Sequence, residues 1–216
     1  MPDRFSVILA DDHHVVRRGL AALLHTNGHY RVVGEASNGE EAVQCATQTS
    51  ADILIIDLSM PRLNGLEAIR RIRQTDTSLK ILVLSMYDDE EFVVQAMQGG
   101  ANGFILKQAM DDVLFEALDV IRQGRPYFGV VIDPSLVETH AGSLAQILTT
   151  REREVLQLIA EGYTTNQIAE LMSISPHTAN RHRANIFQKT NAHNQMELIR
   201  MAVQQGLVIL KNPPKF

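Results

Sequence analysis

Five short apolar runs, each followed by a segment with helical spacing, constrain the fold of the first 122 residues more than any other feature. The apolar runs cover 5–10, 31–36, 52–56, 80–86 and 102–106, and the helical segments cover 14–26, 39–48, 65–74, 89–98 and 110–122. Strands that are apolar on both faces and alternate with helices are typical of a parallel sheet covered on both sides, with right-handed crossovers. The pattern therefore predicts an α/β, doubly wound, five-stranded parallel sheet in residues 1–122.

A second domain follows a stretch that is rich in helix-breaking residues. The chain has 216 residues and is 45% apolar, which is enough for two modest cores. Glycine and proline punctuate the stretch at Gly124, Pro126, Gly129, Pro134 and Gly142. We interpret 123–146 as a linker and 147–216 as a separate domain.

Capping signals predict four short helices in residues 147–216. Three of them begin at a side chain that caps helices well, and these are Thr149, Ser175 and Asn194. The remaining helix is marked by the apolar residues of 168–172. Two short helices joined by a tight turn at 173–175 are the helix-turn-helix arrangement, so we expect a small all-α, four-helix domain of that type.

Charge and cysteine content indicate the compartment and one class of partner. Residues 145–216 carry eight Lys and Arg against five Asp and Glu, although the whole chain has a net charge of −5. A small basic domain is suited to neutralising nucleic-acid phosphates. The one cysteine, Cys45, excludes an intramolecular disulfide, and the N-terminus lacks the pattern of a secretion signal. No apolar run approaches the roughly 18 residues of a membrane span, so we expect a soluble cytoplasmic protein without membrane contact.

Polar side chains follow four of the five predicted strands, where the next helices begin. They are Asp11, Asp12, Asp57, Ser85 and Lys107. In an open parallel sheet these carboxyl ends meet at one edge, where functional groups gather. Three carboxylates brought together repel one another unless a cation is bound, and Mg²⁺ is a hard ion that suits them. Each residue alone fits a helix cap or a solvated surface group, but their coincidence at strand ends predicts a metal site.

The same cluster has the parts needed to accept a phosphoryl group. A carboxylate such as Asp57, neutralised by a metal, is a nucleophile for phosphorus. The three equatorial oxygens of a transferring phosphoryl group need positive charge and hydrogen-bond donors. Mg²⁺, the ammonium of Lys107 and the hydroxyl of Ser85 would supply them.

The order of these motifs makes residues 1–122 similar to a receiver domain, which has a flavodoxin-like fold. The motifs are Asp11-Asp12 after the first strand, Asp57-Leu58-Ser59-Met60-Pro61 after the third, Ser85 after the fourth and Lys107 after the fifth. The resemblance implies that Asp57 is the phosphoacceptor. It implies as metal ligands Asp12 directly, Asp11 often through water, Asp57, and the backbone carbonyl of Ser59. Ser85 and Lys107 are implied to contact the phosphoryl group.

Two further positions take their meaning from this resemblance. Phe104 matches the switch aromatic that turns inward when the hydroxyl residue moves toward the phosphate; the alternative is a plain core phenylalanine. Gln108 stands where the family usually has proline, which affects local rigidity and leaves the chemistry of Lys107 untouched.

The third helix of the second domain has two different faces. Ala179, Ile186 and Phe187 are placed to pack inward. The other face carries Asn180, Arg181, Ala184 and Gln188, flanked by Arg183 and Lys189. Asn reads adenine and Arg reads guanine through paired hydrogen bonds in the major groove, whereas Lys, Arg, Ser and Thr position phosphates. The alternative is a solvated charged face on an ordinary helical bundle.

Residues 148–207 resemble the LuxR-type helix-turn-helix. The motifs are Leu148-Thr149-Thr150-Arg151-Glu152-Arg153-Glu154-Val155-Leu156, then Glu161-Gly162, Ile168-Ala169, Ser175, Thr178, His182, Ile186 and Lys189. A receiver followed by this module is the architecture of the NarL/FixJ family of two-component response regulators. The DNA-contacting residues that we assign on this basis are Ser175, Thr178, Asn180, Arg181, Arg183, Ala184 and Lys189. Three departures lead us to expect looser packing of the third helix: Ala179 for valine, Thr190 for leucine, and Asn191-Ala192 for a small-valine pair.

The last helix carries a stripe of four apolar residues. They are Met196, Ile199, Ala202 and Val203, which helical spacing places in the core of the domain. In the family the last helix also supplies a dimer interface. A homodimer reads two half-sites about one helical turn of DNA apart, or a multiple of it, so we expect a target with approximate dyad symmetry.

The resemblance implies a complete signalling mechanism. A histidine kinase phosphorylates Asp57, Ser85 and Phe104 shift, and the rearranged receiver frees or dimerises residues 148–210 for DNA binding. One alternative is a phosphatase that uses Asp57 as a covalent nucleophile. Haloacid-dehalogenase-type phosphatases have a second Asp where this chain has Ser59, so we expect no turnover of small molecules. The other alternative is a protein-interaction regulator whose helix-turn-helix no longer contacts DNA.

Overall fold

The computed structural model describes residues 4–129 and 144–209. The chain divides into two compact units, and the division falls within residues 130–143. Most of the linker predicted at 123–146 and the end of the second domain, 210–216, lie outside the described residues. The predicted boundaries of domains and linker therefore remain predictions.

The first unit is a parallel sheet covered by five helices. The strands are β1 (Phe5–Ala10), β2 (Tyr30–Ala36), β3 (Ile53–Asp57), β4 (Lys80–Ser85), β5 (Gly103–Leu106) and β6 (Tyr127–Phe128), and the helices are α1 (His14–Asn27), α2 (Gly39–Gln48), α3 (Gly65–Thr75), α4 (Glu90–Gly99) and α5 (Met110–Arg122). The strand order is β2-β1-β3-β4-β5-β6, and each neighbouring pair is parallel. The predicted doubly wound α/β fold is confirmed.

The sixth strand was not predicted from the sequence. Tyr127 and Phe128 pair with Gly103 and Phe104 of β5, inside the stretch that we interpreted as linker. Both residues are half-buried, and the strand has only two residues. A strand this short has no apolar run to detect, so only its pairing with β5 defines it.

The carboxyl edge of this sheet is where the polar residues of the first unit meet. The chain starts at β1, adds β2 on one side, and then crosses to β3 on the other side. The change of direction opens a crevice at the carboxyl ends of β1 and β3, which is the usual ligand site of such sheets. The apolar side chains of the central strands are buried on both faces, so this edge is built on a rigid core.

The second unit is a small helical domain. Its helices are α6 (Leu144–Ile147), α7 (Thr150–Ala160), α8 (Thr165–Leu171), α9 (Pro176–Thr190) and α10 (Gln195–Gln204). Thr149, Ser175 and Asn194 cap α7, α9 and α10 as predicted, because each side chain accepts a backbone hydrogen bond from the first turn. The four predicted helices are present, and the short α6 precedes them. Within residues 4–129 and 144–209, no helix has the length and apolar character to cross a bilayer.

The departures of α9 from the family pattern are accommodated locally. Ala179 and Ile186 are fully buried in the core of the second unit. The hydroxyl of Thr190 donates to the carbonyl of Ile186 at 2.8 Å, which satisfies this buried polar group. Asn191 ends the helix at φ 55°, a left-handed conformation that asparagine tolerates. The two polar replacements, Thr190 and Asn191, therefore fit the C-terminal end of α9.

The predicted core stripe on α10 is wrong for Met196. Ala202 is fully buried and Ile199 is buried, but Met196 is 58% exposed. Leu198, which lies outside the predicted stripe, is fully buried in its place. The buried face of α10 is formed by Leu198, Ile199 and Ala202, and Met196 lies off that face.

Candidate functional site

The polar residues predicted at strand ends meet at the carboxyl edge of the sheet. Asp11 follows β1, Asp57 is the last residue of β3, Ser85 is the last residue of β4, and Lys107 follows β5. Asp11 and Asp57 are each 2% exposed, and Ser85 is fully buried. Because β1, β3, β4 and β5 are neighbours in the sheet, residues far apart in sequence form one pocket.

Lys107 joins the two buried carboxylates. Its Nζ donates to Asp11 Oδ2 at 2.6 Å and to Asp57 Oδ2 at 2.8 Å. Burial raises the pKa of Asp57, and the charge and hydrogen bond of Lys107 only partly oppose this. Burial lowers the pKa of Lys107, but its two carboxylate partners outweigh burial and hold that pKa above its usual value. One ammonium group thus balances two buried acids at once.

The acid cluster fits a hard dication. Asp11, Asp12, His13 and Asp57 each offer one ligand atom, and these atoms lie within 4.8 Å of one another. Asp57 Oδ1 is buried and has no hydrogen-bond partner in residues 4–129 or 144–209. A buried acceptor without a donor is costly unless a cation or donor satisfies it. Carboxylate oxygens are the ligands that Mg²⁺ and Ca²⁺ prefer, so the donor set suits an ion of that class.

Sequence reasoning did not include His13 in the pocket. Its Nδ1 lies 3.2 Å from Asp11 Oδ1 and 3.0 Å from Asp12 Oδ1. The only signal in the sequence is its position directly after the Asp pair, at the start of α1. That position does not distinguish a pocket residue from an ordinary residue at the start of a helix, so the sequence offers no reason to select it.

Ser85 and Phe104 lie on β4 and β5 as predicted. Ser85 Oγ accepts a hydrogen bond from the backbone amide of Tyr87 at 3.0 Å. Phe104 is fully buried and is paired in register with Val83 of β4. The structure describes one inward position of Phe104, so both the switch role and the core role remain predictions. Gln108 lies in a single 3₁₀ turn, Lys107–Ala109, directly after β5.

Gly65 lies so close to the backbone of Asp57 that a side chain does not fit there, and the sequence did not predict this contact. An added Cβ at Gly65 would lie 2.1 Å from the carbonyl oxygen of Asp57. Gly65 begins α3, and its amide donates to Leu58 O at 2.9 Å. The backbone of α3 therefore packs directly against the backbone that carries Asp57 and Ser59.

We expect Gly65→Ala to displace the Asp57 segment. Neither partner of the clash is a flexible side chain, so the backbone has to move, at a cost of about 1–3 kcal/mol as for other overpacked sites. Urea unfolding of the full chain should show the loss. Gly19→Ala in α1 is the matched control, because an added Cβ there meets nothing within 4 Å. An equal effect of the two substitutions would contradict the proposed close packing.

The predicted DNA-contacting face lies on α9. Ala179 and Ile186 are buried, and Asn180, Arg181, Ala184 and Gln188 are exposed. A shallow groove on this side is lined by His177, Asn180, Arg181, Arg183, Ala184 and Phe187. Before α9, Ser173 has φ 53°, which makes the tight turn after α8. The second unit thus has the geometry of a helix-turn-helix with an exposed polar second helix.

Some of the assigned DNA contacts have partners within the second unit. Ser175 Oγ accepts from the amide of Thr178 at 3.1 Å, as the cap of α9. Lys189 Nζ donates to Glu152 Oε2 at 2.7 Å. Burial raises the pKa of Glu152, but hydrogen bonds from Lys189 and Thr149 outweigh burial and leave it below its usual value. Lys189 thus ties the end of α9 to the start of α7, and its role toward DNA remains a prediction.

Fold and pocket together define a receiver domain, and the second unit defines a helix-turn-helix domain. Two family models match the chain: "Response regulator receiver domain" over residues 7–119, and "Bacterial regulatory proteins, luxR family" over residues 146–202. Both matches agree with the two resemblances found in the sequence.

Two relatives match nearly the whole length of the chain. The chain is 38% identical to the oxygen regulatory protein NreC of Staphylococcus carnosus over 213 residues, covering 94% of this chain and 98% of that protein. It is 33% identical to the response regulator UvrY of Escherichia coli strain K12 over 211 residues, covering 94% and 95%.

Solved structures of response regulators are also similar to this chain. RcsB of Salmonella typhimurium has a TM-score of 0.62 at 28% identity, covering 94% of this chain and 98% of that chain. A complex of the two-component response regulator RcsB with DNA has a TM-score of 0.55 at 27% identity, covering 94% and 99%. The chain belongs to the NarL/FixJ family of two-component response regulators. It is a transcription regulator with a receiver domain and a LuxR-type DNA-binding domain.

Proposed function

We propose that a sensor histidine kinase phosphorylates Asp57 and that this modification controls DNA binding by α9. The observation that carries the proposal is the environment of Asp57: Oδ2 is held by Lys107, and Oδ1 is buried without a hydrogen-bond partner in the described residues. A carboxylate oxygen with free lone pairs beside a cation is suited to attack phosphorus.

The transfer balances as an in-line displacement. A carboxylate oxygen of Asp57 forms the new O–P bond while the P–N bond of a phosphohistidine breaks, and the leaving imidazole takes a proton from water. Lys107 neutralises charge on the phosphoryl oxygens. The hydroxyl of Ser85 moves away from the amide of Tyr87 and donates a hydrogen bond to an oxygen of the phosphoryl group.

We assign Mg²⁺ as the ion of this pocket. Asp11, Asp12, Asp57 and the backbone carbonyl of Ser59 would hold it, and it would supply positive charge for the carboxylates and the transferred oxygens. The Oδ1 of Asp57, which has no hydrogen-bond partner in the described residues, supports this assignment.

Phosphorylation also changes the surface of the receiver. Movement of Ser85 toward the phosphate draws Phe104 with it and alters the adjoining face of α4 and β5.

The regulated output is sequence-specific binding of a homodimer to double-stranded DNA. Relatives support this, since RcsB has been solved in complex with DNA and as "two RcsB dimers bound to two parallel DNAs". In a dimer each α9 enters the major groove of one half-site, so the target has approximate dyad symmetry. From a kinase partner and a DNA target we infer a cytoplasmic location.

We infer that the phosphorylated chain turns over no small-molecule substrate. A phosphatase of the haloacid-dehalogenase type needs a second acid two residues after its nucleophile, and Ser59 stands there. The hydroxyl of Ser59 is buried without a hydrogen-bond partner in the described residues and is no general acid at neutral pH. Multiple-turnover release of phosphate from a simple phosphate ester would contradict this inference.

A footprint on genomic DNA fragments tests the proposal as a whole. The full chain is incubated with and without a small acyl phosphate and Mg²⁺, and protected fragments are sequenced. We expect protection to increase with the phosphodonor and to cover two half-sites. Enrichment of no fragment in either condition would favour the alternative of a regulator that acts through protein contacts alone.

We expect Arg181→Ala to weaken specific DNA binding roughly 5- to 150-fold, because a paired contact with a base is worth about 1–3 kcal/mol. The substitution should also relax sequence preference at one position of each half-site. Arg200→Ala is the matched control, since Arg200 is exposed on α10 and its substitution removes the same charge. Binding curves and selected-sequence profiles measure both effects. Equal weakening by the two variants, without a change in preference, would show that Arg181 acts only through its charge.

A further inference from the structure

His13 brings a nitrogen atom to the carboxylate pocket at the spacing of a metal ligand. Its Nδ1 lies 3.0 Å from Asp12 Oδ1 and 3.2 Å from Asp11 Oδ1. Two ligands at right angles, each about 2.1 Å from an ion, are themselves about 3.0 Å apart. A single N–H points well at only one acceptor, whereas a dication satisfies both carboxylates and the imidazole together.

The side chain of Asp57 supplies a second observation that points to a cation site. The residue is 2% exposed, and its Oδ1 has no hydrogen-bond partner in the described residues. Lys107 Nζ donates to Oδ2 of Asp57 and to Oδ2 of Asp11 and makes no hydrogen bond to Oδ1 of Asp57. One ligand atom from each of Asp11, Asp12, His13 and Asp57 falls within 4.8 Å of the others.

Both the backbone amide and the ring of His13 contact Asp11 Oδ1, the ring through Nδ1 at 3.2 Å. The amide of His13 donates to Asp11 Oδ1 at 2.7 Å. His13 is the N-cap of α1, but its side chain makes no capping hydrogen bond. The side chain is 53% exposed, so an ion from solvent reaches it. An ion bound here would replace the contact of Nδ1 with Asp11, and removal of the ring leaves the backbone hydrogen bond of His13 and the start of α1 in place.

We propose that His13 converts the pocket into a site of three carboxylates and one imidazole that binds first-row transition dications in competition with Mg²⁺. Imidazole suits Co²⁺, Ni²⁺, Cu²⁺ and Zn²⁺, whereas Mg²⁺ keeps oxygen ligands and water. The inference rests on the proposed metal site at Asp57. It adds that the identity of the available ion determines whether the phosphoacceptor pocket is occupied by Mg²⁺.

Calorimetric titration of the full chain with Co²⁺ and with Mg²⁺ tests this assignment. We expect His13→Ala to lower Co²⁺ affinity by at least about tenfold, since even indirect partners of a metal are worth that much. The loss for Mg²⁺ should be several-fold smaller. His14→Ala, one residue further and outside the cluster, is the matched control and should leave both affinities as in the parent.

Paramagnetic NMR of the Co²⁺-bound chain gives a readout that does not depend on affinity. Strongly shifted imidazole proton signals should be present in the parent and in His14→Ala and absent from His13→Ala. Unchanged Co²⁺ affinity in His13→Ala, or retention of those signals, would overturn the role of His13 while leaving the Mg²⁺ site in place. Failure of the parent to bind either ion would instead overturn the proposed metal site, and this inference with it.

Discussion

Replacement of Asp57 by Asn should abolish phosphorylation of the full chain. The amide side chain keeps nearly the same shape as the carboxylate, but an amide oxygen is a far weaker nucleophile, and the change removes one negative charge from the cation site. Intact-protein mass spectrometry after incubation with a small acyl phosphate and Mg²⁺ should show the gain of one phosphoryl group in the parent and none in Asp57→Asn. The phosphodonor should then no longer change the DNA footprint.

Asp88→Asn is the matched control for this experiment. Asp88 is an exposed acid in the loop after β4, close in sequence to Ser85, and its substitution removes the same charge outside the pocket. We expect it to accept the phosphoryl group as the parent does. A phosphorylated Asp57→Asn would place the acceptor on another residue, and peptide mapping would identify it.

The sheet and its pocket could be predicted because local and long-range signals agree. Each central strand is apolar on both faces, and its helix follows at once, so β1 to β5 lie within about a residue of the predicted bounds. Parallel strands bring their carboxyl ends to one edge, which is why Asp11, Asp57 and Lys107 were expected together. Their contacts, 2.6 Å and 2.8 Å from Lys107 Nζ, follow from that topology.

Other features depend on contacts that leave no local pattern. The strand Tyr127–Phe128 is defined by its pairing with the edge of β5. Met196 is exposed because Leu198, Ile199 and Ala202 form the buried face of α10, and helical periodicity alone does not choose between that stripe and the predicted one. Lys189 is predicted to contact DNA, and the structure adds that its ammonium binds Glu152, 37 residues earlier. Periodicity does not reveal the partner in any of these contacts.

Replacement of Lys107 by Met should destabilise the receiver and tighten its binding of Mg²⁺. The side chain of Lys107 is 8% exposed and is shared by two buried carboxylates. Removing one partner of a buried ion pair costs about 3–5 kcal/mol, because the remaining charges are uncompensated. A dication then becomes the main counterion of Asp11 and Asp57. Thermal unfolding should therefore show a lower Tm without Mg²⁺ and a larger gain on its addition than in the parent.

The pH dependence of this variant follows from the raised pKa of Asp57. Burial raises that pKa, and Lys107 is what opposes the increase, so the pKa should rise further in Lys107→Met. A group whose pKa is higher in the folded state favours folding at low pH, and that contribution is lost as pH rises through the folded pKa. Without Mg²⁺, the stability difference from the parent should therefore be largest at alkaline pH and should shrink on acidification.

Lys80→Met is the matched control for the charge itself. Lys80 is the first residue of β4, at the opposite end of the strand from Ser85, and is only half-buried. Its substitution should change neither the response to Mg²⁺ nor the pH profile. If Lys107→Met behaved like Lys80→Met, the two carboxylates would have another counterion, and the pocket would not depend on Lys107. A selective effect would show that one ammonium group and one dication serve the same pair of acids.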